Sequence, residues 1–400
     1  MLFQLVENTK DVIVFTDDKF VINPDFNHLT HTWQYSPYLD NSTTFASLLV
    51  GNKTLLDVCP EQLKPKFKNI ISKHKTFLKT YKKTKISIND FELLEIFPKS
   101  FLKEMFEIQN EITKNVLLLY NKPKNYDFLV NLSYLIFKIK NKKIKINTSH
   151  LDIMLDTKSI SLRNKFKNIK PYINYNIFGS ITGRLASRPD SFPILNLNKM
   201  YRKMIEPNNN FFIELDYNGA ELRTFLGLNE IEQPLENLHS WHLELYNKEY
   251  PNDQLDRETF KNKFLAWFYN GKNDIPFGLK QIDETYNKNN VIKKYWNGLK
   301  VETPFGREIL SDQHHALSYI VQSVSNDLFL RQAIEVNKYI EENNLKSNIS
   351  FLIHDALVID TAQNELKHLK NIKEIFSNTK LGKFRVNIKI GKNFGEMREI

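Results

Sequence analysis

Three stretches of this 400-residue sequence carry residue types that could do chemistry together. The first, FFIELDYNGAELR at 211–223, reads as a β-strand that delivers Asp216 at its end. A turn and a helix follow, with Glu221 on the first helical turn. The second, ISFLIHDALVID at 349–360, reads as two apolar strands around a two-residue polar turn that holds Asp355. If the two strands join one antiparallel sheet, Asp216 and Asp355 come side by side. Adjacent carboxylates repel and raise one another's pKa unless a divalent cation sits between them. A pair of magnesium ions about 3.5–4 Å apart is what in-line phosphoryl transfer uses. The third stretch runs from Arg257 to Gly271. Helical residues four apart advance about 40° around the axis, so Arg257, Lys261, Leu265 and Tyr269 form one slowly turning stripe. Phe260, Phe264 and Trp267 lie on the neighbouring face. Two cations, an apolar residue and a tyrosine can meet a nucleotide from its phosphates to its base. Taken singly, each stretch has a plainer reading: a helix cap, unrelated turn acids, an amphipathic helix with solvated cations.

The elements that must position these residues follow from the surrounding pattern. Residues 1 to about 60 show short β-like runs, Asp11–Phe15 and Phe20–Ile22, and no motif. From 61 to about 147 the text is helical and basic: nine lysines lie between Glu61 and Asp90, with Phe67, Phe77 and Tyr81 among them, and a second cluster spans Lys138–Lys145. Such a run is either a solvated helix face or a grip on a nucleic-acid backbone. Glu221 to about Trp296 is mainly helical, and Leu317–Glu341 reads as a long helix. Lys plus Arg number 56 against 46 Asp plus Glu, a net charge of +10. That excess favours a polyanionic partner, although the bias toward Lys, Asn, Ile and Phe explains it without one. Cys59 is the only cysteine, which excludes an internal disulfide and a Cys-based zinc site. No apolar run reaches the roughly 18 residues of a membrane span, and MLFQLVENTK lacks the pattern of a secretory signal. The expected location is cytoplasmic.

Taken in order, the motifs resemble the polymerase domain of family A DNA polymerases, the bacterial polymerase I type. DYNGAELR at 216–223 is similar to the family's motif A, the 257–269 helix to motif B, and His354-Asp355 to motif C. TGRLAS at 182–187 resembles the TGRLSS segment, and NLN at 196–198 with Arg202 follows it. TPFGR at 303–307 resembles the T-x-x-G-R element, Val321 and Gln322 open the matching helix, and GKNFGE at 391–396 resembles the closing G-x-x-W-x-E. The match covers roughly 176–400.

The resemblance implies an α+β right-hand polymerase with an antiparallel-sheet palm and helical fingers and thumb. Residues 1–60 would be a short N-terminal region, 61–147 the thumb, 148–228 the first part of the palm, 229–310 the fingers with the motif B helix at 256–271, and 311–400 the second part of the palm. Asp216, Asp355 and the Tyr217 carbonyl would hold two Mg²⁺ ions, for which Mn²⁺ can substitute. One ion would activate the primer 3′-hydroxyl and the other would bind the triphosphate. Lys261 would hold the triphosphate and protonate the leaving pyrophosphate. Arg257 and His239 would contact phosphates, Leu265 the sugar, and Tyr269 the templating base. Glu221 would fill the space a ribose 2′-OH needs, which selects dNTPs. Arg184, Arg202, Arg307, Gln322 and His354 would touch the primer–template DNA.

The chain departs from the family at Leu265, at Asn270 before Gly271, at Ala356, and at His314 and Ser318. No Asp-x-Glu-led set of four acids lies upstream, so proofreading is not expected, and a separate exonuclease or a processivity factor would be a further partner. The compact, Asn- and Lys-rich sequence suggests a viral or mobile-element replicase, placed in a host cytoplasm. A single-subunit RNA polymerase or primase of the same fold and a catalytically silent DNA-binding relic are the alternatives.

Overall fold

The computed structural model describes residues 1–6, 12–39, 42–84, 93–149, 170–189, 191–234, 236–269 and 277–400. They form two compact units, Met1–Tyr134 and Leu135–Ile400.

In the first unit, strands β1 (Gln4–Val6), β2 (Ile13–Thr16) and β3 (Lys19–Ile22) make an antiparallel meander. Helices α1 (Lys64–Lys83) and α2 (Lys99–Leu119) complete it. One core joins them: Val6, Ile13 and Phe15 pack with Phe67, Ile70, Phe101, Leu102, Phe106 and Val116. The stretch expected as a separate region at 1–60 therefore shares its core with the basic helices after it. The aromatics between the lysines face inward. Phe67 is 5% exposed, and Phe77 and Tyr81 pack edge-on against Phe97. The lysines face out. Lys64 pairs with Glu61 and Lys73 with Glu104, while Lys66, Lys68, Lys75, Lys79, Lys82 and Lys83 are exposed.

The second unit is built on a five-stranded antiparallel sheet. Its strands are β4 (Phe211–Tyr217), β5 (Asn348–Ile353), β6 (Ala356–Thr361), β7 (Val386–Gly391) and β8 (Arg398–Glu399), in the order β5-β6-β4-β7-β8. Alternation along β4 sends Ile213, Leu215 and Tyr217 to one face and Glu214 and Asp216 to the other. The apolar face is covered by helices. Tyr217 stacks on Phe376 with ring centroids 4.4 Å apart and donates its hydroxyl to the Phe376 carbonyl at 2.7 Å. The long helix Gln313–Glu342 opens on Asp312, whose carboxylate accepts the His315 N–H. It exceeds the expected Leu317–Glu341 at its N-terminal end.

The helical region after β4 contains α3 (Ala220–Leu228), α4 (Leu238–Glu249) and α5 (Arg257–Phe268). Asp256 caps α5 by accepting the Glu258 and Thr259 N–H groups, so that helix begins where the sequence places it. Asn270 and Gly271 lie outside the described residues. Among the described residues, no helix is long and apolar enough to cross a membrane.

Candidate active site

Asp216 and Asp355 are brought together by strand register. Asp216 on β4 pairs with Ala356 on β6, and Asp355 is the residue before Ala356. Paired antiparallel residues have Cα atoms about 4.5–5.5 Å apart and consecutive Cα atoms are about 3.8 Å apart, so the two aspartate Cα atoms lie within about 9 Å. His354 and Asp355 are the two-residue turn between β5 and β6. His354 has φ +52°, a left-handed conformation that costs a non-glycine residue energy and is tolerated where the surroundings enforce it. Part of that enforcement is Tyr175, fully buried, whose hydroxyl donates to the Leu352 carbonyl at 2.6 Å and accepts the Leu352 N–H at 3.0 Å on the edge strand.

Four carboxylates gather here, and their partners divide them. Glu221, on the first turn of α3, accepts from Arg184 Nη2 at 2.6 Å. Glu214, on the same face of β4 as Asp216, accepts from Lys389 Nζ at 2.7 Å. The carboxylates of Asp216 and Asp355 make no hydrogen bond or ion pair within the described protein. Burial pushes the Asp216 carboxyl up to about 6, with the charges of Glu214 and Asp355 adding and Lys389 opposing. Burial raises Asp355 too, against the charges of Arg184 and His354. Glu221 is raised by burial and by Asp355, with Arg184 opposing. Burial disfavours the Lys389 ammonium, but the Glu214 hydrogen bond and the charges of Glu214 and Asp216 outweigh it and raise its pKa.

Two desolvated, unpaired carboxylates side by side suit a hard divalent cation. Among the described residues no group of three or more His, Cys, Asp or Glu side chains forms a ready-made cage. Magnesium does not need one, because it keeps several waters and binds through one or two carboxylates plus substrate phosphates. The donor set fits Mg²⁺ or Mn²⁺. Alternation turns the Tyr217 side chain into the core, on the face opposite to Asp216.

A cationic cluster sits on α4 and α5. Arg257 and Lys261 are exposed on α5 and have no ion-pair partner among the described residues. His239 is held at about 4 by burial and by the charges of Lys261 and Arg257, which keeps the ring neutral at pH 7, and its Nδ1 is buried without a partner. Leu265 is half-buried on the same stripe, and the buried Tyr269 hydroxyl also lacks a partner among the described residues. Phe260 and Phe264 are fully buried and Trp267 nearly so, which anchors the helix as the spacing predicts.

One side chain connects the carboxylates to this cluster. Arg223, fully buried, donates to the carbonyls of Asn218 at 2.7 Å, Pro234 at 2.7 Å and Glu236 at 2.8 Å. Asn218 in turn accepts the Leu238 N–H at 3.4 Å. Gly219, at φ +68°, supplies the left-handed turn that lets β4 run into α3. The turn after Asp216 and the start of α4, with His239, are thus tied to the same guanidinium.

The remaining predicted residues fall in two groups. Arg184 meets Glu221, His354 is exposed at the hairpin turn, and Gln322 is half-buried on the long helix, with His314 exposed two turns earlier and Ser318 half-buried one turn earlier. Arg202 stacks over the Phe394 ring at 4.8 Å. Arg307 makes a two-pronged pair with the fully buried Asp327, at 2.6 and 3.1 Å. It also lies against Gly183, where a Cβ would meet its Nη2 at 2.3 Å at a φ of +80°, so Arg307 supports the loop that carries Arg184. Sequence reasoning missed Glu214, Lys389, Arg223, Asp327 and Tyr175. Period-2 alternation could have found Glu214. Lys389 and Tyr175 depend on partners some 175 residues away in the chain, and Arg223 and Asp327 on how a loop or a hairpin folds back on a nearby helix.

No protein-family model matches the sequence, and no curated protein does. Among solved structures the chain is similar to the POL domain of Pol1 from M. smegmatis, determined in complex with DNA primer-template and dNTP. The TM-score is 0.57 at 12% identity, covering 76% of this chain and 77% of that one. The chain shares the fold of a polymerase domain.

Proposed function

We propose that this chain is a DNA-directed DNA polymerase of the family A type. It would add dNTPs to a primer 3′-hydroxyl on a DNA template, release pyrophosphate, and work without proofreading of its own. The observation that carries this reading is the pair Asp216 and Asp355, desolvated and without partners among the described residues while the two neighbouring carboxylates each hold a cation. In this reading the five-stranded sheet is the palm, the helices within 229–310 are the fingers, and the basic helices of the first unit belong to the thumb.

Asp216, Asp355 and the Tyr217 carbonyl would hold two magnesium ions, which supply a more acidic primer hydroxyl and neutralise the departing pyrophosphate. The unpaired cations Arg257 and Lys261 bind and orient the triphosphate, and Lys261 is the proton donor to the leaving group. Neutral His239 donates a hydrogen bond to a phosphate oxygen. Leu265 packs on the sugar and Tyr269 on the templating base. Arg184 holds Glu221 in one place, where its carboxylate fills the space of a ribose 2′-OH. Gln322, His354 and Arg202 face the primer–template, and Arg307 reaches it through the loop it supports.

Primer extension with the four dNTPs tests the reading. Asp216→Asn and Asp355→Asn abolish synthesis and leave DNA binding intact; synthesis at wild-type rate in both variants would remove the proposal. Glu221→Ala raises rNTP incorporation relative to dNTP incorporation. A preference unchanged by that substitution contradicts the role given to Glu221.

A further inference from the structure

The sheet face that carries Asp216 also holds a charged pair with no part in the reaction just described. Glu214 stands two residues before Asp216 and so points the same way, and Lys389 lies directly across from it on β7. The Glu214 side chain is 11% exposed and that of Lys389 is 41% exposed, which leaves the ammonium at the open edge of the face with its stem over the sheet. Two residues along the register, Asp216 faces the neutral Asn387.

As a staple between strands such a pair contributes little, since partly exposed ion pairs stabilise by about 0–1 kcal/mol. An apolar cross-strand pair would do as well without placing a carboxylate next to one that must stay ionised. Glu214 and Lys389 together add no net charge, yet they fix a positive charge two residues along the sheet from Asp216.

We infer that Glu214 and Lys389 are a positioning pair. Glu214 holds the Lys389 ammonium beside Asp216, which keeps the unpaired carboxylates assembled before a divalent cation arrives and sets how much cation the site requires. The inference rests on Asp216 and Asp355 being the metal-holding residues. Its consequences have definite signs. Without Lys389, Glu214 becomes a further unpaired carboxylate, so the metal-free protein is less stable and the cation binds more tightly. With Glu214 neutral, the ammonium turns to Asp216 and competes with the cation. With both removed, the local charge returns to that of the wild type.

The test is thermal melting of the full chain from EDTA through a Mg²⁺ titration, repeated by calorimetry with Mn²⁺. Lys389→Ala melts lower in EDTA and is half-saturated at about five- to tenfold less Mg²⁺, the size expected of one unit charge acting on a divalent ion at the edge of a protein. Glu214→Gln shifts the midpoint by a similar factor in the opposite direction. The double variant returns to within about twofold of wild type, and Lys389→Arg stays there. If Lys389→Ala does not fold, Lys389→Gln, which keeps a donor for Glu214 and removes only the charge, carries the same expectation. Midpoints that stay together in both single variants, with only the melting temperature lowered, reduce the pair to a staple and overturn the inference. A wild type whose melting ignores both Mg²⁺ and Mn²⁺ removes the metal reading itself, and the wild-type titration tells the two failures apart.

Discussion

The carboxylate-bearing face of the sheet and the α4–α5 surface hold opposite charges by different means. On the sheet, each acid is placed by backbone register: Asp216 by its pairing with Ala356 and Asn387, Asp355 by a strained two-residue turn. Side-chain cations then neutralise two of the four carboxylates. On the helices, Arg257 and Lys261 stand on exposed turns with no counter-charge among the described residues, beside a neutral His239 and a Tyr269 hydroxyl that both lack hydrogen-bond partners. In the proposed reading a divalent cation would pair with the sheet's carboxylates and a polyphosphate with the helices' cations. Arg223 holds the two parts in fixed relation.

The scaffold beneath both regions gives the largest expected effect. Asp327→Ala leaves Arg307 without its buried partner and costs about 3–5 kcal/mol of stability, read by urea unfolding; a loss below about 1 kcal/mol would show that the pair does not support the Arg184 loop. On the helical side, Lys261→Ala lowers kcat about 100-fold, or about 2.7 kcal/mol, with primer–template affinity unchanged. An effect on DNA affinity alone would move Lys261 from the triphosphate to the duplex.

The sheet side has its own signature in pH. Asp216 has a folded pKa of about 6 against roughly 3.9 in an unfolded chain, so the folded state binds its proton more strongly. In the metal-free protein this carboxyl therefore contributes stability, on the order of 3 kcal/mol, that is fully present below about pH 4 and is lost as pH rises through about 6. Asp216→Asn removes that part of the slope, and so does saturating Mg²⁺. The smallest effect belongs to Tyr175→Phe, which removes one hydroxyl from the edge strand and destabilises by about 1–2 kcal/mol in the same urea assay. Because it loosens the strand that presents Asp355, it also weakens Mg²⁺ binding.

How much of this was legible in the sequence follows from where each constraint lies. The strand ending at Asp216 and the hairpin at 354–355 are local patterns, and both stand as the spacing predicts. So does the α5 stripe with its buried Phe260, Phe264 and Trp267. Lys389 was not legible, because its value depends on the register of β7 against β4, some 175 residues apart in the chain. The TPFGR motif drew attention to Arg307, but only the fold shows that a fully buried Asp327 holds it. In the first unit the lysines were visible and the inward turn of their aromatic neighbours was not. That turn depends on Phe97, just before the next helix, and on Phe101 within it.

If Asp216 and Asp355 jointly hold divalent cations, calorimetric titration of Mn²⁺ into the purified chain with primer–template DNA and a non-hydrolysable dNTP will count them. The account predicts two bound ions per wild-type chain and a loss of at least one in Asp216→Asn and in Asp355→Asn alike. Equal stoichiometry and affinity in all three proteins would contradict it.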